Sequence, residues 1–542
     1  MPPGPMNFSY LVSLDSRMRS SAIAWQELPG ATSLFADYLY QPAKTIRFYG
    51  RSFLEPEAYR QAALEIEYPE ARRAALVEAL ASRNPGNASL ELLARPGTVA
   101  VVTGQQVGLF TGPAYSVYKA LTAVKLARRL TEQGLAAVPI YWLASEDHDF
   151  EEVGQCWVLD AGSQPVRIAQ APPAGARIPV GPLPVNGRVI EELGRALAGL
   201  PHEEPAVAHA AAAYRGAASF ASGFQRLMDR LLPASGLIYL DPLEPAIRRL
   251  AAPFLSEAIK RSPELVARVM ERDRELEEAG YHAQVRVDRD SSLFFLLEGQ
   301  QRLPLRAAAG GFQVNGRWFS PVELAGRAED LSPNALLRPV LQDHLLPTAA
   351  FVGGPAELAY LAQSQVLYRE LLGRMPVVVP RAGFTVLDES SARVAEHYGL
   401  TLQDLCAGEQ QVHERIAAAL VPAELQQRLS RTREEVEGSL QRLRLAVANF
   451  DSTLAAALDT SRRKMLYQLW KMERKVSAEA FRRNVRAARQ AERLLNLAAP
   501  HRHLQERFYS FLALVAWFGP GLADAVYEQI DLDAPLHRVL VL

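Results

Sequence analysis

The alternation of apolar and polar positions along the chain predicts an α/β core. Residues 45–95 are rich in Ala, Leu and charged residues with the spacing of amphipathic helices. A continuous apolar run at residues 98–102 follows a turn and is typical of a buried parallel strand. A Gly/Gln loop over residues 103–112 leads to a helix predicted from Pro113, and residues 138–144 predict a second strand. This order of strand, loop, helix and strand is one βαβ unit.

The core pattern is interrupted and then returns. Residues 160–330 mix Pro/Ala/Gly-rich pieces with helices and short alternating strands, which we interpret as one or two insertions. Ser332 and Pro333 are predicted to open a helix. A strand at residues 348–352, a Gly loop with the helix that follows it to residue 372, and a buried strand at residues 376–380 then resume the core.

A coiled-coil arm is predicted beyond the core. The first half of its seam repeats at spacings of 4, 3, 4, 3, 4 and 4 through Val436, Leu440, Leu443, Val447, Phe450, Leu454 and Leu458. The chain is predicted to reverse at residues 459–461, after which the seam restarts at Met465, Leu469, Met472 and Val476. Residues 461–493 hold 11 Lys/Arg and 3 Asp/Glu, whereas residues 401–459 hold 6 and 9. This charge difference favours antiparallel pairing of two long helices.

Composition narrows the class of protein. A chain of 542 residues suggests about three domains. The 49% share of hydrophobic residues excludes a wholly disordered chain. The net charge of -1 excludes a protein whose whole surface binds nucleic acid or acidic membrane. Two cysteines exclude a disulfide framework and a zinc site built from Cys alone. The start of the sequence does not read as a secretory signal, and residues 508–518 are too few to span a bilayer, so we expect a cytoplasmic protein.

The first candidate site is the loop after the first strand, with the spacing G-x3-G-x3-G. This spacing matches neither the dinucleotide fingerprint nor the P-loop, and both a ligand-binding loop and a tightly packed turn are compatible with it. Tyr115 and Lys119 lie four residues apart on the next helix, so both could face one ligand. The candidate loop residues are Thr103, Gly104, Gln105, Gln106, Gly108, Thr111 and Gly112.

The second candidate site, residues 146–149, follows the second strand, where ligands bind in open α/β sheets. If the segment is extended, Asp147 and Asp149 point one way while Glu146 and His148 point the other. His148 could act as a general base, and a carboxylate could hold a substrate amine or Mg²⁺. The alternative is a solvated acidic turn that caps the next helix.

The third candidate site is a second Gly loop with its flanking helices. It could bind an anion at a helix N-terminus. Glu357 could instead complement the helix dipole, and Arg381 after the next strand could form either a ligand contact or a structural ion pair. The residues concerned are Asn334, Arg338, Asp343, Gly353, Gly354, Glu357, Tyr360 and Arg381. No dedicated metal ligands are predicted.

Four long segments resemble the BshC family, the cysteine ligases of bacillithiol biosynthesis. They are TGQQVGLFTGPAYSVYKALTAVKLA (103–127), YWLASEDHDFEEV (141–153), LRPVLQDHLLPTAAFVGGPAELAYLAQ (337–363) and VVVPRAGFTVLD (377–388). The resemblance implies an α/β fold with a Rossmann-like core, connecting-peptide insertions and an antiparallel coiled-coil arm used for homodimerisation. Together with the sequence pattern, this architecture predicts the N-terminal part of the core (1–159), the insertions (160–330), the second part of the core (331–407), the arm (408–496) and a helical segment packing back on the core (497–542).

The resemblance also implies a reaction. Cysteine is joined through its carboxyl group to the amine of glucosaminyl-malate, with ATP as co-substrate. Mg²⁺, which the carboxylates after the second strand could hold, is a further candidate cofactor. Charge and hydropathy make neither membrane nor nucleic acid an expected partner. Glu146, Asp147 and His148 are then expected to hold or deprotonate the amine, and the Gly loop with Lys119 to hold a phosphate or the malyl carboxylates. Two alternatives remain: a synthetase-like protein that binds a nucleotide or RNA, and a non-catalytic scaffold of the pathway.

Overall fold

The computed structural model describes residues 18–175 and 177–542. The chain divides into an α/β unit, made of the residues up to Val386 together with Gln505–Leu542, and a helical unit, Leu387–Leu504. The first 17 residues of the predicted N-terminal part lie outside the described residues. Residues 387–407, which the sequence pattern assigned to the core, group with the helical unit. Residues 505–542 group with the α/β unit.

A strand and a series of helices precede the central sheet: β1 (Arg19–Ile23), α1 (Ser33–Tyr40), α2 (Pro42–Tyr49), α3 (Pro56–Leu64), α4 (Glu70–Ala81) and α5 (Ala88–Leu93). The helical periodicity of residues 45–95 predicts α3, α4 and α5. Proline occupies the first turn of α2 and α3, where its missing N–H removes no helical hydrogen bond. The side chains of Thr32 and Asn87 accept backbone N–H bonds at the starts of α1 and α5.

The next segment contains the predicted βαβ unit and the first inserted elements: β2 (Val99–Gln105), α6 (Tyr115–Glu132), β3 (Ala137–Leu143), α7 (Phe150–Val153), β4 (Gln155–Leu159), β5 (Pro165–Ala169), α8 (Arg188–Leu197), α9 (Glu203–Tyr214) and α10 (Phe220–Leu231). It ends with β6 (Ile238–Leu240), which falls within the predicted insertions but pairs with β3 in the central sheet. All of β3 is buried, as is β2 except its last residue. Burial on both faces explains why these strands are continuous apolar runs.

The second insertion and the return to the core follow: α11 (Pro245–Lys260), α12 (Ser262–Glu278), β7 (Ser291–Glu298), β8 (Gln301–Ala308), β9 (Gly311–Val314), β10 (Arg317–Phe319), α13 (Pro321–Gly326), β11 (Leu331–Pro333), α14 (Arg338–Leu345), β12 (Thr348–Gly353), α15 (Pro355–Leu372), β13 (Val377–Pro380) and β14 (Gly383–Leu387). The helix start predicted at Ser332 and Pro333 is wrong. Both residues pair with β7 in β11, and the Asn334 side chain, which accepts from the Leu336 and Leu337 N–H groups, delays the helix to Arg338.

The central sheet has the order β13-β12-β2-β3-β6. Every neighbouring pair in it is parallel. The second insertion forms a separate antiparallel sheet, β10-β9-β8-β7-β11. The predicted α/β class with a Rossmann-like parallel core is therefore confirmed. Because all strands of the central sheet run the same way, the loops after β2, β3, β12 and β13 meet at one edge.

The helical unit contains α16 (Glu389–Tyr398), α17 (Leu402–Ala407), α18 (Glu409–Leu420), α19 (Ala423–Phe450), α20 (Ser452–Arg483) and α21 (Val485–Ala498). Ion pairs Glu437–Arg462 (3.1 Å) and Arg444–Asp459 (2.8 Å) show that α19 and α20 are antiparallel, as their charges predict. The reversal predicted at residues 459–461 is wrong. The chain turns at Asp451, whose backbone is extended and whose side chain caps α20.

The C-terminal elements of the α/β unit are α22 (Gln505–Phe508), α23 (Phe511–Phe518), α24 (Leu522–Gln529) and β15 (His537–Val541). β15 lies between β1 and β14 in a small sheet. In α23, residues 511–516 are buried, which explains the apolar run near the end of the sequence. Within residues 18–175 and 177–542, every helix is too short or too polar to cross a bilayer.

Candidate active site

A cleft of about 660 Å³ lies at the carboxyl edge of the central sheet. Residues of all three candidate segments line it, although they are far apart in the sequence. The predicted residues among its lining are Gly104, Gln105, Gln106, Tyr115, Lys119, Glu146, Asp147, His148, Asn334, Arg338, Gly354, Glu357, Tyr360 and Arg381. This position is the one that parallel α/β sheets use for ligands.

The tip of the first Gly loop does not line the cleft, contrary to expectation. A Cβ atom on Gly108 would lie 2.8 Å from the Gly112 Cα, so the two glycines close a tight turn. The N–H groups of the turn bind protein: that of Phe110 donates to the Tyr214 hydroxyl (3.0 Å) and that of Gly112 to the Leu109 carbonyl (2.9 Å). The expected anion cradle is therefore not formed by Gly108, Thr111 and Gly112, and this part of the loop is a packed turn.

Three other predicted residues also serve packing. Thr103 donates from its hydroxyl to the Val352 carbonyl (2.8 Å) and ties β2 to β12. Asp343 is buried away from the cleft lining and accepts from the Tyr368 hydroxyl (2.7 Å), and burial raises its pKa to about 6. Gly353 packs against Phe351 and Leu358, which a Cβ atom there would meet at 3.0 Å.

Lys119 is buried inside the wall of the cleft. Its Nζ donates to the Gly104 carbonyl (2.9 Å) and to Gln105 Oε1 (2.8 Å), and it forms a close ion pair with Glu357 Oε2. Burial lowers the pKa of Lys119 to about 8, against the opposing effect of Glu357. An ammonium group has three protons, and three protein acceptors surround this one. Lys119 therefore supports the site from within, which differs from the expected contact with a phosphate.

The two glutamines continue this network toward the open cleft. Gln105 Nε2 donates to Gln106 Oε1 (3.2 Å) and to the Tyr115 hydroxyl (3.3 Å). Gln106 Nε2 then donates to Asp147 Oδ2 (2.8 Å) and to Glu152 Oε2 (2.9 Å). One amide group thus bridges two carboxylates at the cleft surface.

The acidic segment after β3 is a turn, so the alternating arrangement expected of an extended segment is wrong. Glu146, Asp147 and His148 all line the cleft, whereas Asp149 caps α7 by accepting from the Glu152 N–H (3.2 Å). The turn begins at residue 145, two residues after the end of β3, and it brings the three side chains to one side. Of these four residues, Asp149 alone has the helix-capping role that the sequence offered as an alternative.

Glu146 is a buried carboxylate with unused hydrogen-bonding capacity. Its side chain is 3% exposed, and its closest cation, Arg248 Nη1, lies 3.6 Å from Oε2. Neither carboxylate oxygen has a hydrogen-bond donor among the described residues. Because a buried carboxylate without donors is costly, a ligand that brings an N–H or O–H group to Glu146 gains that interaction.

The pKa values of the ionisable groups around Asp147 are shifted in different directions. Burial raises the pKa of Asp147, but Arg302 and the hydrogen bonds from Gln106 and the His148 N–H outweigh it and lower the pKa below its ordinary value. Burial lowers the pKa of His148, and Arg302 lowers it further, so the ring is held neutral. Burial raises the pKa of Glu152, assisted by the nearby charges of Asp149 and Asp147.

Arginines occupy other parts of the lining. Arg302 is held over the Phe295 ring, 3.9 Å from its centroid, and its Nη2 donates to the Pro333 carbonyl (2.8 Å). Arg338 Nη2 donates to the Tyr360 hydroxyl (2.8 Å). Arg302 Nη1 lies 3.9 Å from Asp147 Oδ1, so cationic and acidic side chains line the same cleft. This combination suits a ligand that carries both an amine and anionic groups.

Arg381 forms the structural ion pair that the sequence left as one of two alternatives. Its guanidinium binds both carboxylate oxygens of Glu506, with 3.0 Å from Nη1 to Oε2 and a closer contact on the other side. The two side chains are 2% and 0% exposed. Burial raises the pKa of Glu506, yet Arg381, His537 and the Phe384 N–H more than compensate and lower it. Arg381 still lines the cleft, but as a side chain fixed by Glu506.

Sequence reasoning missed Glu152, Phe295, Arg302 and Arg507 in the lining. Glu152 belongs to the segment YWLASEDHDFEEV, and its position shortly after the second strand could have indicated it. Arg302 comes from an inserted strand and Arg507 from the C-terminal segment, and neither position carries a local signal. Among the described residues, no group of three or more His, Cys, Asp or Glu side chains is arranged to hold a metal.

Comparisons with known proteins agree with this architecture. The family model described as "Bacillithiol biosynthesis BshC, N-terminal Rossmann-like domain" matches residues 18–382, and that of the "C-terminal coiled-coil domain" matches residues 384–542. A "Putative cysteine ligase BshC" of Solibacter usitatus is 48% identical, covering 97% of this chain and 100% of the relative. Proteins of the same name from Koribacter versatilis and Symbiobacterium thermophilum are each 34% identical, covering 96% and 87% of this chain and 100% and 90% of their own lengths.

Proposed function

Because the chain belongs to the BshC family of bacillithiol biosynthesis, we propose that it is a ligase that forms an amide between the carboxyl group of cysteine and the amine of glucosaminyl-malate. This is the last step of the pathway in the proposal. The observation that carries it is the cleft, whose lining combines carboxylates (Glu146, Asp147, Glu152) with arginines (Arg302, Arg338). The substrate has the matching charges, since it carries an amine together with the carboxylates of its malyl group.

We propose that these carboxylates bind the amine of the substrate. Asp147 is held ionised by Arg302 and by hydrogen bonds, so it can accept an N–H bond from the substrate. Glu146 offers two buried oxygens that lack a donor. His148 lies beside Asp147, with 3.8 Å between its Nδ1 and Asp147 Oδ1, and lines the same surface.

The carboxyl group of cysteine must be activated before an amine can displace an oxygen from it, and we propose ATP as the co-substrate, accompanied by Mg²⁺. Arginine pairs well with phosphate and carboxylate oxygens. Arg302, Arg338 and Arg507 therefore would hold the anionic groups of the substrates. The protein thiols take no part, since Cys156 and Cys406 are buried and burial raises the pKa of both.

The arm is proposed to form a homodimer. Side chains of its predicted seam remain about half exposed within one chain: Leu443 49%, Leu454 48%, Met465 48% and Met472 52%. A two-helix hairpin therefore leaves part of its apolar seam uncovered, and a second copy of the arm supplies a self-complementary surface. We further propose that the dimer works in the cytoplasm.

The direct test combines purified protein with cysteine, glucosaminyl-malate and ATP. Mass spectrometry should detect bacillithiol, and ATP should be consumed only when both other substrates are present. The Asp147→Asn variant, which removes the charge and keeps the shape, should lower kcat/KM by about 10–1,000-fold, the loss of a charged hydrogen bond in the reacting complex.

The control is Asp149→Asn, since Asp149 lies on the same turn outside the cleft lining. Wild-type protein that makes no product contradicts the proposal. Product formation without ATP turnover contradicts the proposed co-substrate. An RNA affinity that falls steeply with salt, in place of turnover, would instead favour the RNA-binding alternative, and pathway stimulation without turnover would favour the scaffold.

A further inference from the structure

Glu152 lies at the rim of the cleft beside Asp147, and one amide joins the two carboxylates. Glu152 is on the short helix α7, whose N-terminus is capped by Asp149. Its Oε2 accepts from Gln106 Nε2 (2.9 Å), and the same nitrogen donates to Asp147 Oδ2 (2.8 Å). The two acids are therefore held side by side facing the same space.

The orientation of the bridging amide follows from Lys119. An ammonium group only donates, so the Gln105 oxygen must face Lys119 and its nitrogen must face Gln106. The Gln106 oxygen then faces Gln105, and the Gln106 nitrogen has both of its protons available for the two carboxylates. The network fixes a donor, and not an acceptor, between Asp147 and Glu152.

The two acids differ in the other groups that surround them. Asp147 also accepts from the His148 N–H (2.7 Å) and lies 3.9 Å from Arg302 Nη1. These contacts stabilise its charged form, and its pKa lies below the ordinary value. Glu152 lies at the exposed rim of the cleft. Partial burial and the charges of Asp149 and Asp147 raise its pKa, against the hydrogen bond from Gln106 and the charge of Arg507. A pair of acids with pKa values moved apart is a common arrangement in which one stays charged while the other exchanges a proton.

His148 is the other candidate base, and its surroundings disfavour that role. Its Nδ1 lies 3.4 Å from Arg302 Nη1. Burial lowers the pKa of His148, and a guanidinium at this distance lowers it further because it opposes a second positive charge on the ring. His148 packs on Phe295, with 5.7 Å between ring centroids, and completes the wall of the cleft.

We propose that Glu152 takes the proton from the attacking amine, that Asp147 stays charged and holds that amine, and that Gln106 positions both carboxylates. This role rests on the proposed ligase function. The neutral amine attacks the carboxyl carbon of the activated cysteine, and the C–N bond forms. The C–O bond to the phosphate-containing leaving group breaks with its electron pair, and the excess proton on nitrogen passes to the Glu152 carboxylate. In this arrangement Glu152 is a catalytic residue and Gln106 is a positioning residue.

The test compares Glu152→Gln with Glu151→Gln. A glutamine at position 152 can still accept the Gln106 hydrogen bond but cannot take a proton. We expect kcat for amide formation to fall about 10²–10⁴-fold, the usual contribution of a general base, with a much smaller change in KM. The acidic limb of the kcat–pH profile should disappear. Glu151 precedes Glu152 on α7 and, although both side chains are exposed, only Glu152 lines the cleft, so the Glu151 variant should retain wild-type kinetics.

The Gln106→Leu variant tests the positioning role independently. Removing a donor from a carboxylate disfavours its charged form, so the acidic limb of the kcat–pH profile should move to higher pH. Wild-type kcat in Glu152→Gln overturns the assignment of Glu152, as does an acidic limb that survives in that variant. An unmoved limb in Gln106→Leu overturns the positioning role. Wild-type protein that forms no amide overturns the ligase function itself, together with this role, and is thus distinguishable from the failure of Glu152 alone.

Discussion

Replacing Arg381 by leucine measures what the buried ion pair with Glu506 contributes to the α/β unit. Both side chains are almost fully buried, at 2% and 0% exposure, and the guanidinium contacts both carboxylate oxygens. The substitution leaves Glu506 charged and buried, with the Phe384 N–H (2.9 Å) as a remaining donor. Removing one partner of a buried pair typically costs about 3–5 kcal/mol, so we expect a loss of that size at pH 7.

The same substitution should have a characteristic dependence on pH. The pKa of Glu506 in the folded protein lies below its ordinary value, so the pair stabilises the fold above the unfolded pKa of about 4.3. That contribution is lost as the pH falls through the folded pKa. Without Arg381, burial dominates and raises the pKa of Glu506, so the variant gains relative stability on acidification. The difference in unfolding free energy between the two proteins should therefore be largest near pH 7 and shrink below about pH 4.

Urea unfolding followed by tryptophan fluorescence provides the measurement, and Arg268→Leu is the matched control. Arg268 is 46% exposed and pairs with Glu271 at 3.3 Å and with Glu370 at 3.6 Å, and Glu370 keeps a second partner in Arg261. Its loss should therefore cost only about 0–1 kcal/mol. The double variant Arg381→Leu/Glu506→Leu should recover part of the lost stability because no charge remains buried. Equal costs for Arg381→Leu and Arg268→Leu, or a cost that does not change with pH, would refute the reasoning.

Two further predictions concern the network and the arm. Lys119→Met leaves Glu357 without its buried partner, so it should lower the free energy of unfolding of the α/β unit by about 3–5 kcal/mol, measured in urea. A loss below about 1 kcal/mol would contradict the role assigned to Lys119. Met472→Glu should convert the proposed dimer to a monomer in sedimentation velocity experiments. The control Lys471→Glu changes an exposed neighbouring residue and should leave the dimer intact. An unchanged mass of the Met472 variant would place the interface elsewhere.

The parallel sheet could be predicted because its strands carry a strong local signal. β2, β3, β12 and β13 are continuous apolar runs, and burial on both faces requires this composition. Chain reversals carry a weaker signal. Asp451 and the segment 459–461 both contain helix-capping side chains, and the seam residues continue at heptad-like spacing across Asp451. Contacts between α19 and α20 decide between the two positions, and these contacts involve residues far apart in sequence.

The candidate site could be predicted where it follows strand ends and not where it depends on distant segments. Position after a buried strand identified Gln105, Gln106, Asp147 and His148, all of which line the cleft. The glycines of the loop were misjudged because a turn that packs on itself and a turn that binds an anion have the same composition. The presence of Arg302 in the cleft could not be predicted from the sequence, because it depends on how an inserted antiparallel sheet packs on the core.

The network around Lys119 changes what the first Gly loop is for. A lysine after a Gly loop usually indicates a phosphate contact, but here all of its donors are directed to Gly104, Gln105 and Glu357. Because lysine only donates, its position sets the orientation of both glutamine amides and presents two protons to Asp147 and Glu152. The loop thus supports an acidic surface suited to an amine. In the proposed function, the anionic groups of the substrates are then bound by arginines of other segments, and the amine is bound by the carboxylates.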